Sequence, residues 1–521
     1  MRRRGAGQGK CNRAALAAVT LVALASACGP GGGGVRTMAS RPGDVPSAGG
    51  TPHIARVVDL GAIRLPDVGP LPKPDSDGVF SIGELVLVEG SGFGRQPSLR
   101  IAGRPARLLG RLTSGAMIAR VPAAVPSGAQ PVEVVTSDGR ATRAIPIIRY
   151  ALIVAGDALA VVTVDDQTVK ATGKTVALPG ARFVRYSSDG STAYVATHGA
   201  AKARLILVAM GAAGGPRVAG GIGVAPREPV ALTTADQAPF AAVVGDAEVT
   251  LLATDLPHAP SPYAPWTLPH VAVAGPVIAA ELSPDGKMLA LLLGDQNRLL
   301  SVDVSSPESP RVVTTVDLLP GERAPLVRSM AFSADGETLW IVSGDNAASI
   351  AVSRFPTRVT AIKLTPSPDG SATKQVAMWR SAEVTGAGAP LGLALTRGQR
   401  LDSGTTVRIA PEKAPLYLST APSDALEHGV SAPPAGALLS TDVEGGGAPF
   451  AAPAAWVGPL DVSPDTRVLL ASAARPQGAG FELGVVATPL GPSPGKSSFV
   501  GLGPLSTSLR PLGLGVIRIQ P

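Results

Sequence analysis

The chain has 521 residues, of which 45% are apolar, 16% are charged and only 3% are aromatic. Apolar residues occur throughout, which excludes an intrinsically disordered protein. The 62 glycines and 50 prolines exclude a helical bundle, because an interior proline removes a hydrogen bond and clashes with the preceding turn. Short strands joined by turns tolerate this composition, so we expect an all-β protein.

The first 27 residues have the three parts of a secretory signal. Five basic residues come first, at Arg2, Arg3, Arg4, Lys10 and Arg13. The apolar run 14–24 that follows is too short to cross a bilayer with ease. Small residues at positions 25–27 then precede Cys28. We therefore predict a signal peptide over residues 1–27.

The segment Leu24-Ala25-Ser26-Ala27-Cys28 resembles the lipobox of bacterial lipoproteins, whose cysteine is lipidated and becomes the first mature residue. It departs from that pattern at Ala25, where the family prefers leucine. For such lipoproteins, Gly29 in place of aspartate implies an outer-membrane destination. The resemblance thus implies a cell-envelope protein held to the membrane by a lipid on Cys28. Cleavage after Ala27 by the ordinary signal peptidase, giving a periplasmic or secreted protein, is the alternative.

Removal of the signal peptide changes two further expectations. The formal charge falls from +7 to +2, which leaves no electrostatic footprint for nucleic acid. Cys11 is lost, so Cys28 is the one remaining cysteine and no intramolecular disulfide can form. We therefore expect no nucleic-acid partner, and a fold stabilised by a large core.

Residues 28–75 are rich in Gly, Pro and Ser, which predicts a flexible tether with one strand near 54–60. Beyond it we predict strands at 84–88, 99–106, 117–121 and 132–135, with the turn Gly90-Ser91-Gly92-Phe93-Gly94 after the first of them. Phe93 supplies one large apolar anchor. The turn, the strand that ends at Pro122 and the hairpin that ends at Gly139 resemble the IPT/TIG family over residues 76–149. That resemblance implies an immunoglobulin-like β-sandwich that serves as a spacer or binds protein or carbohydrate; another small β-sandwich is the alternative.

An internal repeat dominates the rest of the chain. An apolar residue, Ser, a small residue and Asp recur, usually with Gly next, at 186–190, 282–286, 332–336 and 462–466. A weaker copy surrounds Asp236. Asp-Gly between apolar runs predicts a β-hairpin, and one hairpin per 50 residues or so suits a four-stranded propeller blade. Ser367-Pro368-Asp369-Gly370 matches the core of the pattern, but we interpret it as a plain turn.

A proline near each leading strand extends the count. The seven are Pro179, Pro229, Pro276, Pro325, Pro390, Pro459 and Pro511. They predict a seven-bladed propeller over residues 150–521. Six or eight blades stay open, because the two longest units carry insertions near 366–388 and 398–434. One strand within 512–519 and the strands near 151–171 would complete one blade and close the ring.

The repeat resembles the YVTN/WD40-like propellers of bacterial surface proteins, through Tyr194-Val195-Ala196-Thr197 and Leu339-Trp340-Ile341-Val342. The segment 300–307 (LSVDVSSP) is similar to the LVIVD type of propeller repeat. Both resemblances specify the fold better than the function.

No established catalytic motif occurs. The five histidines are His53, His198, His258, His270 and His428, and none has a partner at metal-ligand spacing. His258 and His270 flank a proline-rich loop that could carry a binding patch. The glycine-rich segment 211–223 is interpreted as a loop between strands, because no helix follows it to hold a phosphate. Asp-Gly carboxylates occur once per blade, so hairpin formation explains them better than calcium binding. We therefore predict no catalytic residue, no metal site and no cofactor.

Two classes of function remain. The first is a binding scaffold for a protein or carbohydrate partner, with specificity in the inserted segments. The second is a propeller enzyme, such as a lactonase-like hydrolase, with polar groups gathered around the central channel. Assistance in assembling the outer membrane is a further alternative by analogy of fold.

Overall fold

The computed structural model describes residues 50–61, 78–113, 115–165, 168–198, 203–211, 215–254, 261–268, 276–294, 298–318, 326–344, 357–366, 374–384, 389–396, 399–402, 405–408, 416–421, 437–441, 448–450, 456–478, 480–490, 496–504 and 516–521. The regular structure within these ranges is β-strand. None of these residues belongs to a helix long and apolar enough to cross a membrane. The chain divides into two compact units, one of residues 1–148 with 210–215, and one of residues 149–209 with 216–521.

The first unit is an immunoglobulin-like β-sandwich. Its strands are β1 (His53–Gly61), β2 (Phe80–Ser81), β3 (Leu85–Ser91), β4 (Ser98–Ile101), β5 (Arg104–Pro105), β6 (Leu108–Thr113), β7 (Ala116–Arg120), β8 (Gly128–Thr136) and the first part of β9 (Gly139–Ala155). One sheet has the order β1-β3-β7-β6. The other places β9 beside β8, β8 beside β4 and β4 beside β5, with β2 parallel to β9.

The glycine-rich turn of the sandwich acts as the sequence predicts. Phe93 is fully buried in the core between the sheets, with Ile101 and Met117. A Cβ at Gly90 would collide with the carbonyl oxygen of His53, so glycine is needed at this position of β3, where β1 pairs with it. Gly92 has φ +70°, a conformation that other residues rarely adopt.

Two expectations about this unit need correction. The strand expected over 99–106 is a hairpin of β4 and β5, because Ala102 and Gly103 turn the chain with φ of 50° and 75°. The strand expected within the tether is β1, and it pairs with β3 along its length. Residues 53–61 therefore belong to the sandwich, which starts earlier than position 76. The signal peptide, Cys28 and the residues up to 49 lie outside the described residues.

The second unit is a seven-bladed β-propeller. Blade 2 contains β12 (Ala181–Tyr186), β13 (Thr192–Thr197), β14 (Arg204–Ala209) and β15 (Arg217–Gly223), and blade 3 contains β16 (Pro229–Thr234), β17 (Phe240–Gly245), β18 (Glu248–Ala253), β19 (Ser261–Pro262) and β20 (Trp266–Thr267). Blade 4 contains β21 (Val277–Leu282), β22 (Met288–Leu293), β23 (Arg298–Asp303) and β24 (Arg311–Asp317). Blade 5 contains β25 (Leu326–Phe332), β26 (Thr338–Gly344), β27 (Arg358–Pro366) and β28 (Lys374–Glu383).

Blade 6 contains β29 (Ala389–Leu395), β32 (Leu416–Ala421), β33 (Ala437–Thr441) and β34 (Ala448–Phe450), and the hairpin β30 (Gln399–Asp402) and β31 (Thr405–Arg408) lies between its first two strands in the chain. Blade 7 contains β35 (Trp456–Val462), β36 (Val468–Gln477), β37 (Gly480–Pro489) and β38 (Ser498–Pro504). Blade 1 combines β39 (Ile517–Ile519) with the second part of β9, β10 (Ala158–Asp165) and β11 (Thr168–Ala177).

The ring of blades is closed. The innermost strands are β39, β12, β16, β21, β25, β29 and β35, and each contacts the next, with β35 in contact with β39. The predicted closing blade is confirmed, because β39 pairs antiparallel with β9. The five marker prolines among the described residues precede or lie within the innermost strands, whose inner edge needs no sheet partner. Pro325 and Pro511 lie outside the described residues.

The middle strands of the blades form the cores between neighbouring sheets. In β22 every side chain is buried, as expected for a strand packed on both faces. The outermost strands are more exposed. One of them, β15, corrects the expectation that the glycine-rich segment 211–223 is a loop. Residues 217–223 are a strand paired with β14, not a loop. An edge strand needs only its backbone to pair, so glycines are tolerated there.

The insertion expected at 366–388 also needs correction, because residues 374–383 form β28, the ordinary outermost strand of blade 5. The segment 398–434 does contain an added hairpin, β30 and β31. Residues 367–370, interpreted as a plain turn, lie outside the described residues.

The repeated Ser and Asp residues form the hairpin between the first two strands of a blade. In blade 4 the Ser283 hydroxyl donates to Asp285 at 2.6 Å, and the same carboxylate oxygen accepts the Lys287 amide at 3.2 Å. The Ser283 hydroxyl oxygen in turn accepts the Met288 amide at 2.9 Å. Blades 2 and 5 repeat this arrangement around Asp189 and Asp335. The predicted hairpin role of these aspartates is confirmed.

The aspartate of the LVIVD-like segment has a comparable structural role. Asp303 is buried, and one of its oxygens accepts the amide and the hydroxyl of Ser305 at 3.0 and 2.6 Å. The other accepts from Arg311 at 3.2 Å. Burial would raise the pKa of Asp303, but the bonds from Ser305 and Arg311 outweigh it and lower the pKa below its ordinary 3.8.

We expect this carboxylate to make part of the stability depend on acid pH. Because the folded pKa lies below the unfolded one, Asp303 stabilises the fold above the unfolded pKa, about 3.9. That contribution is lost as the pH falls through the folded pKa. Urea unfolding at neutral pH and at pH values below about 4 measures it. Asp303→Asn should be less stable at neutral pH and should lose less stability on acidification; equal losses in the two proteins would contradict the prediction.

Candidate functional site

The innermost strands of the propeller enclose a central cavity of about 280 Å³. Each is the terminal strand of its sheet, so its inner edge carries backbone N–H and C=O groups that no neighbouring strand pairs. Both polar and apolar groups line the cavity between these edges, and several apolar side chains are among them. Those that are partly exposed to the cavity include Phe183, Val230, Ile278, Leu391, Leu395 and Val516.

Charged side chains gather at one level of this cavity. Equivalent hydrogen bonds mark the end of the innermost strands, from Ser187, Ser283, Ser463 and Gln520 amides to the second strand of the same blade. Two residues before those positions stand Arg185, Glu281, Asp461 and Arg518, and all four line the cavity. We call these four residues the charged layer. Around the ring the order is Asp461, Arg518 and Arg185 on adjacent strands, then Glu281 two blades beyond Arg185.

One ion pair spans part of the cavity. Arg185 on β12 donates from Nη2 to Glu281 Oε2 on β21 at 3.0 Å, past the intervening strand β16. Both side chains are largely buried, with exposed fractions of 16% and 18%. The second arginine, Arg518, donates from Nη1 to the carbonyl of its own neighbour Ile517 at 3.0 Å.

The remaining carboxylate of the charged layer holds the ring closed. Asp461 is buried, and its two oxygens accept the amides of Val462 at 3.1 Å and of Ile519 at 2.9 Å. The second bond ties blade 7 to β39. Tyr186 lies nearby and donates to the carbonyl of Tyr150 at 3.2 Å. Burial, the negative charge of Asp461 and the proximity of Tyr150 raise the pKa of Tyr186 well above its ordinary value, so this phenol stays neutral.

Two further side chains secure the same junction. Gln520 is fully buried; its side chain accepts the Tyr150 amide at 3.1 Å and donates to the Gly190 carbonyl in blade 2 at 2.7 Å. Arg149 on β9 is also fully buried and lies 3.4 Å from Asp465 in the blade 7 hairpin. That hairpin has Thr466 where the others have Gly, and Thr466 adopts φ 56°.

Two of the residues named from the sequence, His53 and His198, lie among the described residues. Both are exposed, and neither lines the cavity. His258, His270, His428 and Cys28 lie outside the described residues. Within the described ranges, no group of three or more His, Cys, Asp or Glu side chains is placed to hold a metal ion.

Sequence reasoning missed the charged layer, although the repeat contained the signal. Arg185, Glu281 and Asp461 each lie two residues before the serine of the internal repeat in their own unit. Superposing the units on that serine would have shown a charged residue at a position where blade 5 has Ala331. Arg518 could not be found in this way, because its blade has no Ser-Asp hairpin.

No family model matches this chain, and no curated protein matches it. Several solved structures are similar to it at low sequence identity. The periplasmic gluconolactonase of Pseudomonas aeruginosa is 13% identical over 72% of this chain and 99% of its own, with a TM-score of 0.48. A Bacteroides uniformis protein assigned as a 6-phosphogluconolactonase is 14% identical over 71% and 99%, with a TM-score of 0.44. An auxiliary nutrient binding protein of Bacteroides thetaiotaomicron is 10% identical over 81% and 95%, with a TM-score of 0.35. The assignment of the propeller here rests on the strand pairing of the chain itself.

Proposed function

We propose that this protein is a cell-envelope lipoprotein whose propeller binds a ligand in its central channel. The observation that carries the proposal is the channel itself: a cavity of about 280 Å³ bounded by the inner edges of seven strands, which no further strand pairs. Clefts of about 300 Å³ and above are the usual size of small-molecule sites. Unpaired backbone groups next to apolar side chains can satisfy the polar and apolar parts of such a ligand.

The charges of the channel favour binding over acid–base catalysis. Asp461 accepts two backbone amides, and Glu281 accepts from Arg185. A carboxylate engaged in this way holds structure and is poorly placed to exchange protons with a substrate. A ligand would therefore meet charged groups that are already held in place by hydrogen bonds.

The envelope location rests on the sequence. The basic and apolar segments before Cys28 support export, and the resemblance to the lipobox supports a lipid anchor. The sandwich, with its resemblance to IPT/TIG domains, would then act as a spacer between the anchor and the propeller. A partner protein or carbohydrate bound by the sandwich is compatible with this arrangement.

Lipidation is tested on the protein purified from its native envelope with detergent. We expect an intact mass that begins at Cys28 and includes acyl chains, and we expect Cys28→Ser to leave the membrane fraction. Cys28→Ser removes the acceptor sulfur while changing one atom of the side chain. A mass that begins at Cys28 without lipid would overturn the anchor and leave an exported soluble protein.

The alternative enzyme function is tested separately. Purified protein is incubated with a panel of sugar lactones, and ring opening is followed by acid release. Catalysed hydrolysis that is lost in Glu281→Gln would favour a lactonase-like propeller and overturn the binding proposal. Hydrolysis at the uncatalysed rate would support it.

A further inference from the structure

We propose that the channel binds a small hydroxylated organic acid, with its carboxylate on Arg518 and its hydroxyl groups on the inner strand edges. This inference rests on the proposed ligand-binding role of the channel and names the class of ligand.

The first argument is the position of Arg518 in the charged layer. Arg518 on β39 and Arg185 on β12 occupy equivalent positions of adjacent innermost strands, and both line the cavity. An arginine that lines a cavity can reach a ligand bound there, and its guanidinium group favours an anionic ligand.

The second argument is that one of these cations has no carboxylate of its own. Arg185 donates to Glu281, whereas Arg518 donates only to the Ile517 carbonyl among the described residues. Asp461 is the other carboxylate of the charged layer, and its oxygens accept backbone amides instead. Nε and Nη2 of Arg518 remain as a pair of parallel donors, which is the geometry that recognises a carboxylate with two hydrogen bonds.

The third argument concerns the body of the ligand. The inner edges of the seven innermost strands pair with no further strand, so backbone donors and acceptors remain there beyond those, such as the Ile519 and Leu282 amides, that bond to side chains. Hydroxyl groups both donate and accept, so a polyol chain can bond to both kinds of edge group. A cavity of about 280 Å³ accommodates a small organic acid rather than a folded peptide. Together with Arg518, these edges favour a hydroxylated carboxylate.

The probe we would use is D-gluconate, measured by isothermal titration calorimetry with the full mature protein. Sorbitol is its neutral counterpart, a six-carbon polyol without the carboxylate, and hexanoate is a carboxylate without hydroxyl groups. We expect gluconate to bind at least about tenfold more tightly than either, because a charge-assisted hydrogen-bonded pair and the hydroxyl bonds would both be needed. Equal binding of sorbitol and gluconate would overturn the role of Arg518.

Arg518→Gln tests the site directly. We expect it to weaken gluconate binding at least about tenfold while the thermal melting temperature stays near that of the parent. Arg518→Lys should bind less tightly than the parent, because lysine keeps the charge but lacks the two parallel donors. The matched control is Arg298→Gln, which removes an arginine from an exposed pair with Asp317 on the outer strands of blade 4.

The outcomes separate this inference from the proposed function. Loss of gluconate binding in Arg518→Gln, with normal binding in Arg298→Gln, supports it. Unchanged binding in Arg518→Gln overturns the site, and absence of gluconate binding to the parent protein overturns the ligand class. Neither result bears on lipidation, because the mass at Cys28 is measured independently.

Discussion

A chain that ends before Val516 is expected to lose the folded propeller at room temperature. The six residues removed contain β39, the innermost strand of blade 1. Ile517 and Ile519 are fully or almost fully buried, and burial of such a side chain stabilises a fold by about 1.5–3 kcal/mol. The same deletion removes the Gln520 bonds to blades 1 and 2 and leaves Asp461 without the Ile519 amide.

The expected loss is comparable with the whole stability of an ordinary domain, about 5–15 kcal/mol. Circular dichroism with thermal melting measures it. We expect the shortened protein to aggregate or to melt well below the parent. A synthetic peptide covering residues 512–521 should restore the melting transition by pairing with β9, whereas the same peptide with Ile517→Asp and Ile519→Asp should not. A shortened protein that melts with the parent would contradict the closure.

The second large effect is expected at Arg149. This fully buried cation lies 3.4 Å from the buried carboxylate of Asp465 and joins β9 to the hairpin of blade 7. Removing one partner of a buried pair leaves the other as a charge without compensation, which costs about 3–5 kcal/mol. We therefore expect Arg149→Met to lower the free energy of unfolding by that amount, measured by urea titration at neutral pH.

A second ion pair in the same propeller, Arg298 with Asp317, provides the control. Arg298 and Asp317 are 2.7 Å apart, but their exposed fractions are 29% and 58%. Arg298→Met changes the same residue type and is expected to cost less than about 1 kcal/mol, because water screens exposed pairs. The double variant Arg149→Met with Asp465→Asn should be more stable than the sum of the single effects predicts. Equal losses in Arg149→Met and Arg298→Met would show that burial of the pair is not what matters.

The propeller fold could be predicted from the sequence because its repeated motif is a hairpin formed by residues that are close together in the chain. In blades 2, 4 and 5 a Ser, an Asp and a Gly build the hairpin with bonds that span five residues or fewer, so the pattern is visible in a short stretch of chain. The marker prolines are local in the same sense. Seven blades could therefore be predicted as the leading count, with six or eight left open, and the surplus strands at the two ends of the repeat indicated the closing blade.

What the sequence did not show depends on pairing over long distances. The sequence of β1 looks like part of the tether, and its place in the sandwich follows only from its pairing with β3. The sequence of β15 looks like a glycine-rich loop, and its strand conformation follows only from its pairing with β14. The candidate site has the same origin. Arg185 and Glu281 are separated by 96 residues, and their meeting follows from ring geometry rather than from any motif that joins them.

Blade 1 combines strands from the start and the end of the propeller sequence, and this affects how the protein folds. The Tyr150 amide bonds to a side chain 370 residues further along the chain, so the order of synthesis delays this contact until nearly all the intervening blades exist. Until then β9 presents a bare edge, which is a template for pairing with other chains. Contacts of such high sequence separation form slowly. We infer a late, slow closing step, during which a nascent copy is most exposed to aggregation with its neighbours.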